Sequence, residues 1–200
     1  VAGRAEGDAV QLTYCHDTTA ADWLAQASTP AMQLITMGPA GFPAYARLRF
    51  IPDPSHPGQV EADVEVPDDH PTDCALTGWA LHRLAAFTAT PGDCFFCVWD
   101  GYSDVKLPPE AMDGAMVELP HRRYALLRGP LRGIDTWQDD IGGWPPAFVW
   151  PYDRSWCFTS DVDPHWAGIG ATRAAVDALL NDAELDVVRA RPDEPQPTYY

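Results

Sequence analysis

Lysine is nearly missing from this 200-residue sequence: Lys106 stands alone beside twelve arginines. Positive charge is scarce overall, and 13 basic against 29 acidic residues leave a formal net charge of −16. Such a chain does not bind nucleic acid by neutralising phosphates, so nucleic acid is excluded as a partner. Long hydrophobic runs are also absent. The longest is Cys94–Trp99, far short of a membrane span, so no membrane partner is expected. The five cysteines are an odd number, which argues against a secreted disulfide framework and for reduced, buried thiols in a cytoplasmic protein. No basic segment followed by an apolar one opens the sequence, so no secretory signal is expected. The patterns G-x-S-x-G, Walker A, G-x-G-x-x-G and H-E-x-x-H do not occur, and no cofactor is expected.

What remains is a chain able to build a core: 46% of its residues are hydrophobic and eight are tryptophan. Its size suits one domain. Residues 1–18 read as a loose lead-in, 19–190 as a single α+β domain, and 191–200 as a mobile, Pro- and acid-rich tail. Ala20, Trp23, Leu24 and Ala27 recur at helical spacing until Pro30, which predicts a short amphipathic helix. From Ala44 to Ile51 the period becomes two: Ala46, Leu48 and Phe50 alternate with Arg47 and Arg49, as in a half-buried strand. Thr72 or Asp73 is placed to cap a middle helix with Leu76, Trp79, Ala80, Leu84 and Phe87 on one face. The apolar run Cys94–Trp99 predicts a buried central strand. Arg122–Arg128 predicts another, and 147–150 with 155–160 an antiparallel hairpin. Residues 133–146 read as a loop. A final helix starts at Thr172, followed by an edge strand over 185–188. The class is therefore α+β: a mainly antiparallel sheet with an N-terminal, a middle and a C-terminal helix.

Residues 52–73 differ from the rest. Five prolines and seven acids occur there without one Lys or Arg. The segment reads as an exposed acidic excursion holding one short edge strand at 61–66, since proline confines strands to sheet edges. Asp63, Glu65, Asp68 and Asp69 offer an acidic face that would steer a basic partner. The proline-aromatic stretch 144–152 offers a second contact surface through Trp144, Phe148 and Trp150 if it is exposed; otherwise Phe148 and a Trp belong to the core.

Three further groups invite chemical readings. Asp161, Asp163 and His165 fall on one side of an extended segment and could hold a divalent metal or perform acid–base catalysis, as in a small metal-assisted hydrolase. The alternative is a strand-to-loop corner, with Pro164 bending the alignment. Arg122, Arg123 and Arg128 could clamp an anionic group in a Trp-lined small-molecule pocket, or neutralise acids of the same molecule. Cys94 and Cys97 form a C-x-x-C, but on a strand residues i and i+3 face opposite sides, so they suit neither a disulfide nor one shared metal.

Four strings, FPAYARLRFIP (42–52), FCVWDG (96–101), PHRRYALLRGPL (120–131) and FVWPYDRSWCFTSDVDPHWAGIG (148–170), resemble a group of uncharacterised actinobacterial cytoplasmic proteins of similar length. The resemblance implies no particular activity and transfers no catalytic residue. More remotely, the order helix, antiparallel sheet, C-terminal helix is similar to the SUKH group, which includes toxin-immunity and regulatory proteins. That similarity implies a non-catalytic intracellular binding protein of immunity or adaptor type. A protein partner is then expected, and edge strands leave self-association open.

Overall fold

The structure, a computed structural model, describes residues 12–200; of the expected lead-in, residues 1–11 lie outside the described residues. In chain order the elements are β1 (Thr13–Tyr14), α1 (Asp22–Ala25), α2 (Ala31–Met37), β2 (Ala44–Arg49), α3 (Asp73–Leu84), β3 (Cys94–Trp99), α4 (Pro109–Met112), β4 (Met116–Leu119), β5 (Arg122–Gly129), α5 (Trp137–Asp140), β6 (Phe148–Pro151), β7 (Cys157–Thr159), β8 (Trp166–Ala171), α6 (Arg173–Leu180) and β9 (Val187–Ala190). The nine strands among the described residues make one antiparallel sheet in the order β1-β5-β3-β6-β7-β8-β2-β9, with β4 pairing β5 beside β1. The α+β class expected from the pattern is what the chain adopts.

Helices cover both faces of this sheet, and the alternation within strands shows why the central run is uninterrupted. On β3, Cys94, Phe96 and Val98 enter one core with α3, α6 and the 3-10 turn Leu131–Thr136, whereas Phe95 and Cys97 enter a second core with α1 and α2. A strand buried on both faces has no reason to alternate polar with apolar. β5 and β6 divide likewise, with Ala125, Leu127 and Val149 in the first core and Tyr124, Leu126, Phe148 and Trp150 in the second.

Local signals place most elements. The Thr72 hydroxyl accepts from the Ala75 N–H at 3.2 Å, and the Thr172 hydroxyl from Ala175 at the same distance, satisfying first-turn donors of α3 and α6. The first helix ends at Ala25, short of the expected stop at Pro30, and Pro30 instead opens α2 from its N-cap, φ −53° and ψ 140°. The β4–β5 hairpin turns through Pro120 and His121, with His121 at φ 67°. This is the type II arrangement, a position that favours glycine.

Several expectations change. The region 133–146, expected as a loop, holds the end of the 3-10 turn Leu131–Thr136 and α5, and the expected lead-in contributes β1, paired with β5. The acidic segment forms a 3-10 turn at Glu61–Asp63 rather than an edge strand: its N–H groups bond locally, Asp63 to Val60 and Val64 to Glu61. Trp79, expected on the buried face of α3, is 40% exposed. β8 carries little strand signal because four of its six residues are Gly or Ala, with Trp166 and Ile169 as its strand formers. A Cβ on its Gly168 would lie 2.4 Å from the Thr36 carbonyl and 2.6 Å from Met37 Cα, so that glycine lets the α2 backbone lie directly on the sheet. Finally, the tail is docked: Trp166 Nε1 donates to the Pro197 carbonyl at 3.1 Å, the Tyr199 hydroxyl to Pro52, and the Tyr200 N–H to Gln59.

Candidate functional site

The segment that leaves β7 distributes its three candidate ligands to different surroundings. Asp161 is buried and receives Arg122 through Nε and Nη2, both at 3.0 Å. Arg122 in turn lies 4.8 Å from the Trp99 ring centre. Asp163 is exposed. His165, 6% exposed, turns the other way and donates from Nε2 to Asp53 at 3.1 Å. Asp161, Asp163 and His165 therefore do not converge, and no group of three His, Cys, Asp or Glu able to hold a metal occurs among the described residues. The backbone bends at Val162 and Asp163, in the middle of the motif, and Arg122 and Asp53 each take one end.

Asp53 is a hub that sequence reasoning missed. Arg47, only 5% exposed despite its strand position opposite the apolar residues of β2, binds it with both terminal nitrogens, at 2.6 and 3.0 Å. Arg49 reaches it at 3.2 Å and also holds Asp186. Arg47 lies 5.4 Å from the Trp166 ring centre, and Tyr199 stands edge-on to His165 at 4.6 Å. Burial disfavours the Asp53 carboxylate, but hydrogen bonds from Arg47 and His165 and the charges of Arg47 and Arg49 win, taking its pKa down to about 2. Desolvation moves His165 down, against the pull of Asp53, so the neutral ring is favoured. The hub binds β2, the start of the acidic excursion, β8 and the tail together. Two arginines at i and i+2 on a strand, followed by an Asp just beyond Pro52, are the signal that could have found it.

The basic candidates carry their own counter-charges. Arg123 pairs with Asp100 at 2.7 Å and Arg128 with Asp93 at 2.6 and 2.7 Å. All three anion-binding candidates, Arg122, Arg123 and Arg128, are thus engaged by aspartates of the same chain. The cysteines divide as strand geometry requires, Cys94 in one core and Cys97 in the other. Burial pushes the Cys74, Cys94 and Cys157 thiols up to about 12.

The proposed contact surfaces fare differently. Phe148 and Trp150 are wholly buried in β6, where Trp150 stacks on Phe95 at 5.4 Å, so they cannot present a partner surface: β6 is a central strand covered on both sides. Trp144 is 44% exposed and stacks on Tyr102, with centroids 5.4 Å apart and planes 3° from parallel. Asp63, Glu65, Asp68 and Asp69 are all exposed, and none makes an ion pair among the described residues. The Cys74 thiol donates to the Gly143 carbonyl at 3.3 Å. This bond sets the loop bearing Trp144 beside the first turn of α3, the end into which the acidic segment runs. No helix among the described residues is long and apolar enough to cross a membrane. No family model, curated protein or solved structure matches the chain.

Proposed function

We propose that this chain is a non-catalytic, cytoplasmic binding protein of adaptor or immunity type. Its acidic segment 61–69 receives a basic protein partner, with Val66 and Trp144 supplying apolar contact beside the charges. One contrast carries this reading. Eight arginines are paired with acids elsewhere in the molecule, while the carboxylates of 61–69 stand exposed without an ion pair among the described residues. Solvated like charges held close together repel one another, and a basic surface relieves that repulsion while being steered toward it. Of the residues considered for acid–base chemistry, by contrast, Asp161 and His165 are tied to different partners, Arg122 and Asp53, and Asp163 is exposed apart from both.

The test is charge reversal of Asp63, Glu65, Asp68 and Asp69 to Lys, beside a control reversal of the exposed Asp139 and Asp140. A partner is identified by crosslinking in the native host, and the pair is reconstituted from purified chains. The segment variant should slow association by about tenfold or more at low salt, leaving the thermal midpoint unchanged. Equal association rates for the parent and the segment variant would refute the proposal.

A further inference from the structure

On the face of the sheet away from α3, the β6–β7 hairpin and the stretch following β1 enclose a cleft of about 680 Å³. Phe95, Trp150 and Tyr152 line it, together with His16, Arg128 and Arg154. Two guanidinium groups thus meet the exposed ring of Tyr152 in one concavity, with the buried rings of Phe95 and Trp150 behind it. Arg128 lies across Phe95 and Tyr152, at 5.2 and 5.9 Å from the ring centres, while held by Asp93.

Arg154 is different. It has no acidic partner, which among the described arginines is otherwise true only of Arg132 and Arg173. Its guanidinium stands 5.3 Å from the Trp23 ring centre. Its backbone is left-handed, φ 54°, a conformation in which glycine serves a hairpin better than a long basic side chain. The turn is also fixed: the Asp153 carboxylate accepts from the Thr88 hydroxyl and the N–H groups of Ala89 and Ser155, and the Tyr152 N–H donates to the Asp93 carbonyl at 2.9 Å. An unpaired cation is therefore held at the mouth of an aromatic cleft by a turn that would be easier to make without it.

The other charged lining residue does not cancel this. Asp17 accepts the Thr19 N–H through Oδ1 at 2.8 Å and makes no ion pair with Arg154. Burial raises the Cys15 pKa despite Arg128 nearby, so that wall is neutral.

We propose that this cleft binds a small aromatic oxyanion, a carboxylate or phosphate monoester carried on a flat ring. Arg154 holds the anionic group, assisted by Arg128, and the ring lies against the exposed ring of Tyr152. Paired oxygens suit a guanidinium fork, and the aromatic walls desolvate the flat body. The cleft shares no residue with the acidic segment, so the two sites stand or fall separately.

Benzoate and phenyl phosphate serve as probes, with benzamide as the neutral control, read by ligand-observed NMR and tryptophan fluorescence. At least one anion should bind, benzamide should not, and Arg154→Gly should weaken binding by about tenfold or more, the usual worth of a charge-assisted hydrogen bond. Because glycine suits the left-handed turn, Arg154→Gly should not lower the thermal midpoint, which separates loss of the site from loss of the fold. Preference for phenyl phosphate identifies a phosphate ligand, and preference for benzoate a carboxylate. No signal from either anion at about 10 mM, where weak fragments register, would overturn the proposal. So would equal binding of benzamide, or an Arg154→Gly affinity equal to the parent's.

Discussion

Replacing Asp53 by Asn keeps the shape of the side chain and removes its charge, and the structure sets the cost. Arg47 is buried and would lose its bidentate anion; Arg49 and His165 would lose the same acceptor. Removing one partner of a buried ion pair costs about 3–5 kcal/mol. Asp53 itself is 22% exposed, and Asn can still accept one hydrogen bond, so about 2–4 kcal/mol is expected. For a chain of this size that lowers the melting midpoint by roughly 4–16 °C. The pH dependence gives a second measure. Asp53 falls from 3.8 to about 2 in the folded protein, equivalent to about 2.4 kcal/mol and to about 1–2 kcal/mol once solvent screening is counted. A carboxylate with a depressed folded pKa stabilises fully above its unfolded pKa and loses that contribution as pH falls through the folded one. The gap between parent and Asp53→Asn should therefore be largest above pH 4 and shrink by about 1–2 kcal/mol toward pH 2. Urea unfolding followed by tryptophan fluorescence at pH 7, 4, 3 and 2 measures it. A gap under about 1 kcal/mol at pH 7, or one that stays constant down to pH 2, would refute the hub.

Other outcomes follow from the same packing. Gly168→Ala should destabilise by about 1–3 kcal/mol through its clash with the α2 backbone, whereas Gly92→Ala, with open space around it, should cost under about 1 kcal/mol; chemical denaturation distinguishes them. His121→Gly should raise stability by up to about 1 kcal/mol by relieving the left-handed turn residue, seen as a higher melting midpoint. Native thiol titration with an aromatic disulfide should modify Cys15, the half-exposed thiol, well before Cys74, Cys94, Cys97 and Cys157, which are buried; rapid reaction of two or more thiols would contradict the packing. His165 has its pKa depressed, so its contribution is present above the ordinary value of 6.5 and declines as pH falls through the folded value. His165→Gln should flatten that decline in an acid-unfolding series.

The parts of the fold legible in the sequence are those where one local force dominates. Caps at Thr72 and Thr172 announce α3 and α6, and the unbroken run Cys94–Trp99 announces a strand covered on both faces. β8 is illegible for the opposite reason: Gly168 is there for the approach of α2 and Gly170 for the rings of Phe42 and Tyr45, tertiary requirements that the local sequence does not announce. The acidic segment reads correctly as exposed and wrongly as a strand, because composition reports solvation while pairing depends on a neighbour far away in sequence. At the candidate sites, residue type suggested groupings that spacing alone could not test. Asp161 and His165 look like companions along the chain, yet each answers to a different partner, Arg122 and Asp53. Arg154 drew no notice because a lone arginine in a hairpin turn carries no motif; its significance lies in its missing counter-ion and its backbone angle.

The position of β2 has a consequence for biosynthesis. Its two edges are taken by β8 and β9, so the chain must run from Arg49 to Trp166 before the first edge is closed and to Ala190 before the second. During translation β2 emerges early and waits as an open template with both ladders unfilled. Sheets assembled from such distant pairs form slowly, and an open strand is the surface on which nascent chains pair wrongly. Arg47 and Arg49, whose side chains are later drawn into the Asp53 hub, leave the waiting strand carrying two like charges, a built-in deterrent to joining another copy of itself on the ribosome. A chain stalled before residue 166 would keep that deterrent as its main protection against aggregation.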